Sequence, residues 1–156
     1  MEIRVCNAND VIELLQLARD DDEKNSVDTW EQYQKWLLDS LYTKNNFVYI
    51  AVDNGKIVGF LVWNLFIKLF KWTAYLGYIY VSKDKRNREA SSLLVKEFIK
   101  AAYKSPAQRF EFSSKVLPSK WVKYVSLNVP HDKYMTYHIK RSDEIREWYN
   151  ENIREN

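Results

Sequence analysis

The chain has 156 residues, 46% of them hydrophobic and 29% charged, with a formal net charge of +3; this suits one globular core and excludes a disordered or low-complexity chain. Three glycines, three prolines and 15% aromatic residues argue the same way, and the small net charge permits an anionic ligand without demanding nucleic acid. A lone cysteine, Cys6, excludes an intramolecular disulfide.

Met1 to Asp10 lacks a cationic start followed by an apolar run, so no cleaved secretion signal is expected. The longest apolar stretch, Ile57 to Phe70, is broken by Gly59, Asn64 and Lys68 and is too short to cross a bilayer as a helix. The expectation is a soluble, cytoplasmic protein without membrane contact.

In chain order, Glu2 to Cys6 alternates as a short strand does. Asn9 or Asp10 is expected to cap a helix with Val11, Leu14, Leu15 and Ala18 on one face. That helix ends at the acidic run Asp20-Asp21-Asp22-Glu23, read as a solvated helix end. A second helix starts at Asp28 or Thr29 and turns Trp30, Tyr33, Leu37, Leu38 and Leu41 inward. Phe47 to Val52 and Lys56 to Phe66 form a hairpin about Asn54-Gly55, a pair that accepts the positive φ of a tight turn. Trp72 to Val81 is a further strand, and Arg88 to Lys104 a helix with Ala90, Leu93, Leu94, Phe98, Ala101 and Ala102 on one face. Arg109 to Ser114 is a strand, Ser119 to Leu127 a short helix, and Tyr134 to Lys140 a strand. Ser142 caps a last helix with Ile145, Trp148, Tyr149 and Ile153. The order β-α-α-β-β-β-α-β-α-β-α predicts an α/β fold, a mixed sheet with helices packed on it. Residues 1–156 read as one domain, with a core over about 1–141 and an extra C-terminal helix over about 142–156.

The segment from Tyr78 to Leu94 carries the most chemistry. A strand ends at Val81, a polar loop follows, and an amphipathic helix begins. A helix N-terminus offers unpaired N–H groups and the positive end of the dipole, which suits phosphate. Four cations and one anion lie between Lys83 and Arg88.

This segment resembles the cofactor motif of the GNAT family of acyl-coenzyme-A N-acyltransferases. In that motif a strand ends in Val, and the loop carries Arg/Gln-x-x-Gly-x-Gly/Ala before a helix with a Leu pair. Val81, Arg86 and Leu94 fall at the matching spacing. The Asn54-Gly55 hairpin resembles the family's hairpin. Tyr124-Val125-Ser126-Leu127-Asn128-Val129 resembles its Tyr-x-x-Leu-Gly-Phe. The sequence departs from the pattern at Asn87 and Glu89, where glycine is usual, and at Ser91, where Gly or Ala is usual. Glycine there lets the backbone approach the pyrophosphate.

The resemblance implies an N-acyltransferase that moves an acetyl group from acetyl-CoA to a primary amine of a small molecule or a protein. It implies cofactor contacts at Ile79, Val81, Arg86, Asn87, Arg88, Glu89, Ala90 and Ser91. It also implies that Tyr124 protonates the leaving thiolate. The family's usual base is a carboxylate on the strand before the loop, and Trp72 to Val81 has none; Glu111 is a candidate set against a surface role. The family's acceptors often sit near the region of Asp20 to Glu23. A catalytically degenerate domain that binds a partner is the alternative. A nucleic-acid or base-modifying role is a second one, from Lys115, Lys120, Lys123, Lys133, Lys140 and Arg141 among Trp121, Tyr124, Tyr134 and Tyr137. His131 and His138 lack zinc-ligand spacing, so no metal is expected. Cys6 is expected to be buried and inert.

Overall fold

A computed structural model describes residues 1–21, 27–85, 88–114, 125–131 and 134–140. The elements are β1 (Glu2–Val5), α1 (Val11–Arg19), α2 (Val27–Tyr42), β2 (Asn46–Asp53), β3 (Lys56–Lys68), β4 (Lys71–Val81), α3 (Arg88–Lys104), β5 (Arg109–Ser114), β6 (Val125–His131) and β7 (Tyr134–Lys140). The architecture is the expected mixed α/β one. The chain forms two compact units, Met1–Trp63 with Tyr78–Val95, and Asn64–Gly77 with Lys96–Asn156.

The first unit runs β1-β2-β3-β4 across its sheet. β1 is antiparallel to β2, with Glu2 opposite Val52 and Val5 opposite Tyr49. β2 buries Val48 to Ala51 and β3 buries Ile57 to Trp63 without alternation, as strands covered on both faces do. The β2–β3 turn is made by Asn54 at φ 50° and Gly55 at φ 77°, the left-handed pair that the sequence demanded. Leu14, Leu17 and Ala18 of α1 and Leu37 of α2 pack on Val48, Ile50, Ile57 and Phe60. The Ile57 N–H donates to Glu13 Oε1 at 2.8 Å, tying α1 to β3.

The entry to α1 differs from expectation. Asn7 caps a short 3-10 turn, Ala8–Asp10, through its side chain, which accepts the Asn9 N–H at 2.9 Å. Asp10 closes the capping box instead: its carboxylate accepts the Asn7 N–H at 2.9 Å and both Arg4 Nη groups at 2.7 and 2.8 Å. Asp10 does stand at the N-cap position of α1 but makes no capping hydrogen bond there; the side-chain cap is supplied by Asn7 ahead of the 3-10 turn, toward which the Asp10 carboxylate reaches back.

The second unit runs β4-β5-β7-β6. β5 lies parallel to β4, with Thr73 opposite Arg109 and Leu76 opposite Phe112, as the strand–helix–strand order predicts. β7 is antiparallel to both β5 and β6. Phe98 and Ile99 of α3 and Phe110 of β5 are buried, and the two phenylalanine rings lie 6.3 Å apart.

The short helix expected over 119–127 is corrected in part. Val125 to Leu127 open strand β6, paired with β7: the run Val125-Ser126-Leu127-Asn128-Val129 alternates with period two, which suits a strand next to a partner. Residues 119–124 and the C-terminal helix over 142–156 lie outside the described residues.

Candidate active site

The candidate cofactor segment lies in the first unit. β4 brings Ile79, half-buried, and Val81, buried, to its end. Ser82 then donates its N–H to the Val58 carbonyl at 2.7 Å, holding the chain to β3 as it leaves the sheet. A 3-10 turn over Lys83–Lys85 follows, with Lys83 and Asp84 exposed. α3 begins at Arg88 and runs 17 residues. Ala90 and Leu94 are fully buried and anchor its first turns, Ser91 is half-buried, and Glu89 is exposed. Arg86 and Asn87 lie outside the described residues.

This geometry fits an anionic group. A strand ends in the core and a helix starts within a few residues, in a stretch rich in cations, so the helix's first N–H groups and dipole are presented beyond the end of β4. The exposure of Glu89 keeps its carboxylate in solvent, where its charge is screened and the dipole favours it.

Gly59 is a further contributor that the motif spacing does not single out. A Cβ there would stand 3.0 Å from the Tyr80 carbonyl oxygen, 3.2 Å from Val81 Cγ2 and 3.5 Å from Leu94 Cδ1. Its lack of a side chain lets β3 lie close under the end of β4 and under α3. Glycine in a strand signals such an approach.

The acidic run after α1 is not a wholly solvated helix end, which corrects that expectation. Asp20 is exposed, but Asp21 is only 4% exposed. Its N–H donates to the Ala18 carbonyl at 3.1 Å, a continuation of the helical turn that carries its side chain inward. Asp21 Oδ2 accepts the Tyr33 hydroxyl of α2 at 3.1 Å and the Tyr78 hydroxyl of β4. Burial, with Tyr78 and Asp21 adding to it, holds the Tyr33 phenol far above the usual tyrosine range, so it stays a proton donor. The rings form one cluster: Trp30 stacks on Tyr33 at 5.9 Å, and Trp36 meets Tyr33 at 5.8 Å and Tyr78 at 5.7 Å edge-on. The Arg19 guanidinium lies 4.7 Å over Trp30. Asp22 and Glu23 lie outside the described residues.

Glu111 is not a surface residue either. In the second unit it is 1% exposed and accepts from Lys68 Nζ at 2.7 Å. A buried carboxylate needs such a partner, and the long reach of Lys68 from β3 supplies it.

Tyr124, the candidate acid, lies outside the described residues, as do Lys115, Lys120, Lys123, Trp121, Lys133 and Arg141 of the basic and aromatic segment. Cys6 is buried just beyond β1, and burial pushes its thiol up to about 11. Among the described residues no group of three or more His, Cys, Asp or Glu is placed to hold a metal ion, and no helix is long and apolar enough to cross a membrane.

A model of the Acetyltransferase (GNAT) family matches residues 11–117, more than half of the chain. No curated protein matches the sequence at a significant level. Solved structures do. A PaiA N-acetyltransferase from Thermoplasma acidophilum, in complex with coenzyme A, is 14% identical over 90% of this chain and 99% of its own, with a TM-score of 0.69. A ribosomal-protein-alanine N-acetyltransferase from Brucella melitensis is 16% identical over the same shares, at 0.66. A GNAT-family acetyltransferase from Streptococcus pneumoniae is 20% identical over 88% of this chain and 98% of its own, at 0.60. At such identities the likeness is one of fold, and the family rests on the sequence match.

Proposed function

Because the chain belongs to the acetyltransferase (GNAT) family, we propose that it transfers an acetyl group from acetyl-CoA to a primary amine, of a small molecule or of a protein, in the cytoplasm. The supporting observation is the passage from the buried end of β4 at Val81 through the Lys83–Lys85 turn into α3, whose first turn is anchored by buried Ala90 while Glu89 stays in solvent. Coenzyme A in the Thermoplasma structure of similar fold lends support to the same ligand class here.

Acetyl-CoA would supply the thioester. The backbone of Ile79 to Val81 would hold the pantetheine arm by strand-like hydrogen bonds. The α3 N-terminus, from Arg88 to Ser91, with Arg86 and Asn87 before it, would hold the pyrophosphate. Tyr124 would give its phenolic proton to the departing sulfur.

Equilibrium binding of acetyl-CoA tests the reading. Arg86→Ala is expected to weaken binding by about 1.5–3 kcal/mol, the scale of a charge-assisted hydrogen bond. Glu89→Gly is expected to strengthen it, by removing a like charge and a side chain at the turn. Tyr124→Phe keeps the ring and is expected to lower kcat by about 10²–10⁴-fold with binding little changed. Absence of saturable binding would overturn the enzyme reading and favour a degenerate domain, for which the non-glycine residues Asn87 and Glu89 speak.

A further inference from the structure

We propose that the tip of the β3–β4 hairpin, Ile67 to Trp72, docks the protein onto an anionic lipid surface, a role separate from acetyl transfer. The tip exposes large apolar side chains: Ile67 is 61% exposed, Leu69 72% and Phe70 98%. Together they present on the order of 400 Å² to water, a patch large enough to mark a binding surface. The backbone holds them there. Leu69 at φ 49° and Phe70 at φ 66° make a two-residue turn with both central residues left-handed, a turn that Asn-Gly would make without strain. Leu and Phe make it at a cost and gain no burial within the chain; a contact outside the chain supplies the compensation. The turn also projects. The β4–β5 register begins with Thr73 opposite Arg109, and the Gln108 N–H donates to the Trp72 carbonyl at 2.8 Å. Lys68 to Lys71 therefore extends past the start of the neighbouring strand.

Charge chooses the occupant. From Lys56 to Val81 the sequence contains no Asp or Glu, while Lys68 and Lys71 flank the turn. Lys71 is exposed. Glu111, the acid of β5, is 1% exposed and accepts from Lys68 Nζ at 2.7 Å, so it turns no negative charge toward solvent. Cations continue along the same end of the sheet, with Arg109 opposite Thr73 and Lys140 opposite Arg109 in the register. An apolar wedge flanked by cations matches a bilayer with anionic headgroups. The acyl region takes Leu69 and Phe70, and the headgroups take the lysine ends, whose stems are long enough to snorkel. Trp72, half-buried beside the turn, belongs to the residue type that settles at the headgroup level. Other occupants fit less well. A second copy of the chain needs about 800 Å² on each side, roughly twice what the tip offers. A single-stranded nucleic acid needs flat faces for stacking, which Ile67 and Leu69 do not provide. The contact is interfacial: no helix among the described residues is long and apolar enough to cross a membrane, and a hairpin tip needs none. The sequence-based expectation of no membrane contact considered spanning segments alone.

The test uses the full chain and vesicles of phosphatidylcholine with about 30 mol% phosphatidylserine, whose negative surface attracts basic segments. Co-sedimentation is expected to show saturable binding that is about tenfold weaker to vesicles of phosphatidylcholine alone and that falls as salt is raised. Leu69→Asn combined with Phe70→Gly is expected to lower binding by about 10²-fold, because both apolar side chains leave the lipid, with thermal unfolding showing the fold intact. Lys71→Ala is expected to lower it about fivefold. No binding to the anionic vesicles, or full binding by the folded double variant, overturns the proposal. If the double variant fails to fold, Phe70→Ser carries the test at a position 98% exposed. Its binding is expected to fall about tenfold, and unchanged binding counts against the tip. Dimerisation in analytical ultracentrifugation, or binding of poly(U), that depends on Leu69 and Phe70 while the vesicles stay unbound assigns the tip to a second copy or to RNA and overturns the lipid reading.

Discussion

Asp10 illustrates how one side chain can serve two local needs. It closes the capping box ahead of α1 and receives a two-pronged ion pair from Arg4, with its own side chain 11% exposed. The hydrogen bonds from Arg4, ahead of that from Asn7, hold its carboxyl below the usual carboxylate range although burial opposes them. A carboxyl depressed on folding contributes stability that is fully present above its unfolded pKa, about 4. That contribution is lost as the pH falls through the lower folded value. Asp10→Asn is therefore expected to cost about 1 kcal/mol at neutral pH, the scale of a lost cap. The gap between variant and parent should begin to narrow below about pH 4 and close as the pH falls through the lower folded value. Urea unfolding at neutral and acid pH checks this, and a gap that persists in acid would contradict it. Cys6 shows the opposite influence: burial, ahead of the nearby Asp10 charge, raises its thiol, which favours the less reactive protonated form at neutral pH.

At the scale of elements, two hairpin turns form a contrast. The β2–β3 turn uses Asn54 and Gly55, which adopt positive φ readily. The β3–β4 turn places Leu69 at φ 49° and Phe70 at φ 66°, both non-glycine, with Leu69 72% and Phe70 98% exposed. Left-handed backbone costs such residues about 1–2 kcal/mol each, and neither side chain is buried in return. Replacing the pair by Asn-Gly is expected to stabilise the protein by roughly 1–2 kcal/mol. Thermal and urea unfolding measure it, and a loss of stability would mean that the two side chains make contacts of their own. The sequence announced the first turn through its residue types. It concealed the second, because Leu and Phe carry no turn signal and extend the apolar run that began at Ile57.

For the whole molecule, the order of elements and the family agree, and each compact unit has its own buried residues: Phe60, Leu14 and Leu37 in one, Phe98, Ile99 and Phe110 in the other. A ligand that binds only the folded chain stabilises it by mass action. Acetyl-CoA at about a hundred times its Kd adds about 2.7 kcal/mol. For a chain of this length that is expected to raise Tm by roughly 5–10 °C. A thermal scan with acetyl-CoA, against adenosine alone as control, reads it, and an unshifted transition argues against cofactor binding.

The sequence by itself determined the features that depend on neighbours in the chain. Asn54-Gly55 sets a turn, the period of Arg88 to Lys104 sets a helix and its inner face, and the spacing from Val81 to Leu94 marks the segment proposed to hold the cofactor. Tertiary structure decided the features that depend on distant partners. Asp21 reads as one acid in a solvated run until Tyr33, 12 residues on, and Tyr78, 57 residues on, converge on it. Glu111 reads as a surface acid until Lys68, 43 residues earlier, meets it in the interior. Gly59 reads as an interruption until the backbone of Tyr80 lies against it. Periodicity reports which face of an element turns inward; it carries no information on what waits there. The environment of a buried charge is set by groups brought together only when the sheet and helices close around it.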